Sequence, residues 1–239
     1  MVQTDILAFG AHPDDIELGC GGTLIAHQMI GHSIVMVDLT YGEMGSRGNK
    51  EIRIEEATAA SKIIGAKSRM NMGFSDAFFT IDEKHIRELV RVIRHYKPRV
   101  VLCNAVNDRH PDHGRASSLV SQACYYAGLD KIKSQWVGSY QATWRPHAVY
   151  HYVQFYDIKP DILFDISKVI DKKMEAIRAH TSQFYNPHSK EPQTLISQPA
   201  FLDNIMARAS YYGQYIGAAY AEGFTTERTP GINNFFHLL

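Results

Sequence analysis

Two short runs concentrate the side chains able to do chemistry: Ala11-His12-Pro13-Asp14-Asp15 near the amino terminus and Arg109-His110-Pro111-Asp112-His113 mid-chain. Each joins imidazole to carboxylate across a proline. These are donors for a divalent metal. His12, Asp15 and His113 together supply two imidazoles and one carboxylate and leave coordination positions open, the composition of a catalytic rather than a structural site. Pro13 and Pro111 would stiffen the loops that present them. Asp14 and His110 then flank the metal as proton-transfer candidates, and Asp112 is expected to orient the His110 ring through its Nδ1–H. Taken singly, either run reads equally well as a helix cap with ordinary turn histidines. Their recurrence at two strand ends argues for a site.

Those strand ends come from the elements that must bring the runs together. Apolar or β-branched runs at 6–9, 33–39, 69–72 and 100–102 alternate with helical periods at 21–30, 51–64 and 82–96 and with a helix after His113. Gly31, Gly65 and Pro98 mark helix ends. Alternation of this kind builds a mostly parallel sheet with helices on both faces, a Rossmann-like three-layer α/β sandwich. In strand order 3-2-1-4, the first and fourth strands adjoin at the topological switch point, so both runs face one crevice. The second half is expected to elaborate this core, with strands at 147–155 and 161–164 and helices at 167–179 and 200–221. One domain over residues 1–239 is expected, and the loops 44–49 and 185–199 are candidates to cover a ligand.

Composition narrows the class. The 239 residues are 45% hydrophobic and 21% charged, with 25 Lys+Arg against 25 Asp+Glu. That balance opposes a phosphate-tracking protein or a polybasic membrane-surface protein, so neither nucleic acid nor membrane is an expected partner. No apolar run approaches the length needed to cross a bilayer, and MVQTDILAFGAH lacks the basic start of a signal peptide. Cys20, Cys103 and Cys124 form no CxxC pair, which fits a reducing, cytoplasmic setting. Gly19-Cys20-Gly21-Gly22 resembles a dinucleotide turn but falls too late: the strand turn holds Asp14 and Asp15, which would repel a pyrophosphate. These glycines are expected to let the first helix pack closely, with Cys20 as a small buried residue.

AHPDDIELGCGGT together with RHPDH resembles the PIG-L/LmbE family of metal-dependent N-acetylglucosamine deacetylases. Arg53-x-x-Glu56-Ala57, the Asp76 turn, KKMEAIRAHTSQ and YYGQYIGAAYAEGF extend the likeness over most of the chain, towards the branch that deacetylates N-acetylglucosaminyl malate in bacillithiol biosynthesis. The resemblance implies zinc, or Fe(II), on His12, Asp15 and His113, with Asp14 as general base. It also implies an oxyanion-stabilising His110 backed by Asp112, a substrate-contacting Arg53, and a homo-oligomer such as a trimer or hexamer. Relatives acting on mycothiol precursors carry a tyrosine shortly before the second motif. Asn107-Asp108-Arg109 stands there instead, so that role has no residue to carry it.

Other residues have two readings each. Arg53 either pairs with Glu56 at i,i+3 or grips substrate at the crevice. Asp76 is a turn residue or a sugar-hydroxyl acceptor, and Arg109 a crevice cation or a solvated one. His180 and Gln183 are expected to be structural or subunit contacts, and Tyr211, Tyr212, Tyr215 and Tyr220 to be packing residues. Two rival functions remain. A non-haem Fe(II) oxygenase would use the same triad, but a β-rich scaffold is expected for it. An inactive metal- or sugar-binding module would be expected to lack Asp14 or His110.

Overall fold

The computed structural model describes residues 3–238. Five apolar residues form β1 (Ile6–Gly10), which feeds α1 (Asp15–Met29), β2 (Ile34–Asp38) and α2 (Lys50–Ile64). Then come β3 (Ser68–Asn71), α3 (Glu83–Tyr96), β4 (Val100–Cys103) and α4 (Pro111–Ala127). Side-chain caps start α2 and α3: Asn49 accepts from Ile52 N and Asp82 from His85 N. Gly65 ends α2 in the left-handed region, φ 81°. Beyond a two-stranded hairpin, β5 (Gln135–Trp136) and β6 (Ser139–Tyr140), the chain adds β7 (Ala148–Tyr152), β8 (Ile162–Asp165), α5 (Ile170–Arg178), α6 (Pro199–Gln214) and β9 (Ala221–Thr226).

The main sheet runs β3-β2-β1-β4-β7-β9-β8. Its first five strands are parallel, and β9 pairs antiparallel with both β7 and β8. The expected three-layer α/β architecture and the 3-2-1-4 order are therefore present. Along β1, Leu7 and Phe9 join the core under α3 and α4, while Ile6 and Ala8 join the core under α1 and α5. Burial on both faces is what makes the strand continuously apolar. No helix among the described residues is long and apolar enough to cross a membrane.

Three local expectations are corrected. The first helix begins at Asp15, well before residue 21, and absorbs a non-helical residue at Cys20 (φ −142°, ψ 15°). The helix expected over 200–221 stops at Gln214, Gly217 turns the chain at φ 68°, and β9 begins at Ala221. The Ala content of that stretch hides a strand whose Glu222 is buried against Lys173 Nζ at 2.6 Å. The hairpin has no counterpart among the expected elements.

The Gly19–Gly22 stretch packs as expected. A Cβ on Gly19 would lie 2.1 Å from the Tyr152 ring, and one on Gly22 would lie 2.8 Å from Ile166. Tyr152 in turn donates from its hydroxyl to Phe9 O at 2.8 Å, so the absent side chain lets α1 sit directly on β1 and β7. Gly19→Ala should therefore cost about 1–3 kcal/mol of stability through overpacking. Chemical denaturation measures it, and a change below about 0.5 kcal/mol, the range of neutral surface substitutions, would contradict this packing.

Candidate functional site

The chain leaves β1 and β4 at adjacent sheet positions, and the two histidine–aspartate runs meet there. Asp15 opens α1 and is 3% exposed. Its Oδ2 accepts from His12 N at 2.9 Å and from Asn104 Nδ2 at 3.0 Å, while Oδ1 accepts from Gln154 Nε2 at 2.9 Å. Asn104 follows β4 and Gln154 follows β7, so three strand ends converge on one carboxylate. The imidazoles flank it: His113 Nε2 lies 3.0 Å from Oδ1 and His12 Nδ1 lies 3.5 Å from Oδ2. Outside this pair, His113 Nδ1 contacts Asp108 Oδ1 at 3.1 Å, and Asp108 Oδ2 accepts from Phe155 N. His12 Nε2 contacts Asp76 Oδ1 at 3.0 Å and approaches Asp112 Oδ2 at 3.5 Å.

Negative charge dominates this cluster. Burial alone would lower the pKa of His12, but hydrogen bonds to Asp112, Asp15 and Asp76 raise it well above the usual imidazole value. His113 rises to about 9, burial being outweighed by the charge of Asp15 and the bond to Asp108. Asp76 falls to about 2 because its contact with His12 outweighs its burial. The protein thus draws positive charge into a nest of carboxylates, and a divalent cation satisfies the same demand. The donor set fits such an ion. Among the described residues, the donor atoms of His12, His110 and His113 lie mutually within 4.8 Å, as do those of His12, Asp76 and Asp112. His12 belongs to both sets, and Asp15 bridges it to His113.

His110 and Asp112 do not form the expected pair. His110 is the N-cap of α4, and its Nδ1 accepts from the backbone N–H of Asp112 at 3.3 Å. A nitrogen that accepts cannot also donate to a carboxylate behind it. The Asp112 side chain turns away, taking Ala77 N at 2.9 Å and Arg115 at 2.7 Å. Burial and the neighbouring His12 and His113 lower the pKa of His110. A neutral ring accepting at Nδ1 carries its proton on Nε2 and is a hydrogen-bond donor there.

Asp14 makes no cap hydrogen bond although it precedes α1, which removes its helix-cap reading. Its carboxylate meets Arg53 Nη2 at 3.4 Å. Arg53 is buried and also donates to Gly42 O at 3.0 Å, while its Nε has no partner among the described residues. The i,i+3 pairing with Glu56 is not formed, for Glu56 accepts from Thr181 and Ser182. Gly42 (φ 67°) makes the room, since a Cβ there would lie 1.6 Å from Arg53 Nη1. Asp76 lines the cleft, yet its oxygens are taken by His12 and by Met44 N at 2.9 Å. The structure thus makes Asp76 a partner of His12 at the cleft wall. Arg109 is exposed at the mouth, 5.2 Å from the Phe155 ring centroid.

His12, Asp14, Asp15, Arg53, Asp76, Asp108, Arg109, His110, His113 and Gln154 line one cleft of about 360 Å³, within the range of small-molecule sites, while Asn104 and Asp112 stand behind it. The loops around 44–49 and 185–199 border it and are stapled by Arg47, which donates to Ser182 O at 2.7 Å and Pro192 O at 2.9 Å. His180 lies outside the cleft lining, 3.3 Å from the buried Glu17, whereas Gln183 lines it. Asn104, Gln154 and the role of Asp108 are absent from the sequence-based expectations. The available signal was a polar residue just past an apolar parallel strand, which locates the crevice rim.

A model of the PIG-L family, described as GlcNAc-PI de-N-acetylase, matches residues 7–124. Diacetylchitobiose deacetylase of Thermococcus kodakarensis is 32% identical, covering 98% of this chain and 85% of its own. A probable N-acetyl-α-D-glucosaminyl L-malate deacetylase of Bacillus anthracis is 28% identical, covering 76% of this chain and 82% of its own. The crystal structure of a conserved protein from Thermus thermophilus superposes with a TM-score of 0.87 at 34% identity, covering 98% of this chain and 99% of that one.

If Asp108 fixes the ring of a metal-binding His113, Asp108→Asn should weaken zinc binding roughly 10–100-fold, as loss of an outer-shell carboxylate does elsewhere. Competition against a chromophoric chelator measures this, and unchanged affinity would remove Asp108 from the site.

Proposed function

This chain belongs to the PIG-L family, and on that premise we propose that it is a metal-dependent hydrolase removing acetyl from an N-acetylglucosaminyl conjugate, with N-acetylglucosaminyl L-malate as substrate and zinc on His12, Asp15 and His113. The observation that supports this best is the placement of Asp14, a carboxylate free of helix capping, in one cleft with that donor set and with His110. Zinc bound there would polarise the amide carbonyl and lower the pKa of a coordinated water.

The chain's own residues account for the rest. Asp14 takes a proton from the attacking water as its oxygen adds to the carbonyl carbon. His110 donates from Nε2–H to the carbonyl oxygen as it gains negative charge. The neutral tautomer set by the Asp112 N–H suffices for this, with no charge relay through Asp112. Asp14 then returns its proton to the departing nitrogen, the C–N bond breaks, and acetate and a free amine leave. Arg53, holding the Asp14 carboxylate on one side and Gly42 O on the other, orients the base.

A second reading takes diacetylchitobiose as the substrate, favoured by the relative of 32% identity over nearly the whole chain. Acetate release from the malate conjugate and from diacetylchitobiose, each with zinc and with Fe(II), decides between them. A higher kcat/KM for the neutral disaccharide overturns the malate assignment, and no release from either overturns the deacetylase reading.

Two variants test the roles. Asp14→Asn should keep its metal and lose roughly 10²–10⁴ in kcat; near wild-type turnover would exclude Asp14 as the base. Because Arg53 touches Asp14, Arg53→Ala should lower kcat/KM by roughly 10–100-fold on charged and neutral substrates alike. A loss confined to the malate conjugate would instead place Arg53 on the carboxylates.

A further inference from the structure

Beyond the histidine–aspartate cluster the cleft runs along an apolar wall that includes Leu18, Ile196, Phe201 and Ile205. Arg208 of α6 lines this end. The other partly or fully buried arginines of the cleft are committed to the protein. Arg47 donates to loop carbonyls, and Arg53 is held between Gly42 O and Asp14. Arg208 makes one hydrogen bond, long at 3.4 Å, from Nη2 to Phe155 O, and no carboxylate among the described residues lies within ion-pair distance of it.

A half-buried guanidinium with most of its donors free of protein partners is available to an anionic ligand. Burial lowers its pKa, opposed only at longer range by Tyr212, Asp108 and Asp157. Asp108, the carboxylate that holds His113, is among the charges Arg208 feels, and both residues line the same cleft. Phe155 joins it to the mouth: Arg208 holds its carbonyl and Arg109 covers its ring. The planar fork of an arginine matches a carboxylate at two points.

We propose that Arg208 is the specificity-determining residue of this cleft, binding an anionic carboxylate-bearing aglycone through the guanidinium donors it does not spend on Phe155 O. This rests on the deacetylase reading above and assigns the aglycone contact to α6, leaving Arg53 to the reacting end.

The test is equilibrium binding of the reaction product, glucosaminyl malate, and of its dimethyl ester, which keeps the shape and removes the charge. Wild type should bind the diacid roughly 10–100-fold more tightly than the diester, the range for a charge-assisted contact. Arg208→Gln should reduce that ratio to near one, and Arg208→Lys should restore part of it; equal melting temperatures exclude misfolding. An unchanged ratio in Arg208→Gln, or no preference for the diacid in wild type, overturns the proposal. Acetate release is read separately. An active deacetylase with an unchanged ratio sinks Arg208 alone, while an inactive protein sinks the enzyme reading and leaves the binding ratio to judge Arg208.

Discussion

A carboxylate shut away from water must have its lone pairs filled by the protein, and Asp15 is where this molecule meets that demand. Donors reach it from the loop after β1, from Asn104 after β4 and from Gln154 after β7, with His113 arriving from α4. An unpaired buried carboxylate would simply take up a proton. Here the convergence holds the carboxylate well below its ordinary pKa, the charge and hydrogen bonds of the histidines overcoming burial. The ends of three neighbouring parallel strands bring His12 N, Asn104 and Gln154 to one point. The sheet order and the chemistry of the crevice are thus one constraint seen at two scales.

Around that anchor, buried charge is arranged in opposition. Arg69 is held by Glu17 and Asp38 beneath the site, with Asp38 Oδ2 2.7 Å from its Nε. Lys173 is held by Glu222 behind α1. Such pairs contribute little net stability, because desolvation offsets the attraction, but losing one partner strands the other. They fix α1, α5 and β9 against each other, and α1 carries Asp15 on its first turn. Inside the cleft the same logic distributes the arginines. Those bound to carbonyls and to Asp14 shape the pocket, and one remains with spare donors.

Much of this was legible in the sequence. The strand-helix alternation gives the order of the first four strands, and the spacing of the two runs places His12, Asp15 and His113 around one point. What was not legible lies in orientations rather than identities. Nothing in RHPDH says that Pro111 starts a helix whose N-cap is His110, which spends Nδ1 on a backbone N–H and sends the Asp112 side chain elsewhere. Nothing in the spacing of Arg53 shows it reaching Asp14 past a left-handed glycine 11 residues before it. Asn104 and Gln154 are invisible for a plainer reason: a lone amide after an apolar strand carries no pattern until the partner strand end is known. The missed β9 has the opposite cause, since its Ala- and Tyr-rich approach favours helix locally and only pairing with β7 and β8 overrides it.

The account turns on which side of His12 holds the metal, because His12 faces Asp15 with Nδ1 and Asp76 and Asp112 with Nε2. Anomalous diffraction at the zinc edge, from crystals of the Asp14→Asn variant grown with zinc and N-acetylglucosaminyl malate, reads this directly. The account predicts one zinc peak ligated by His12, Asp15 and His113, with the acetamide of the ligand between it and residue 14. A peak among His12, Asp76 and Asp112, or an acetamide bound away from residue 14, would contradict it.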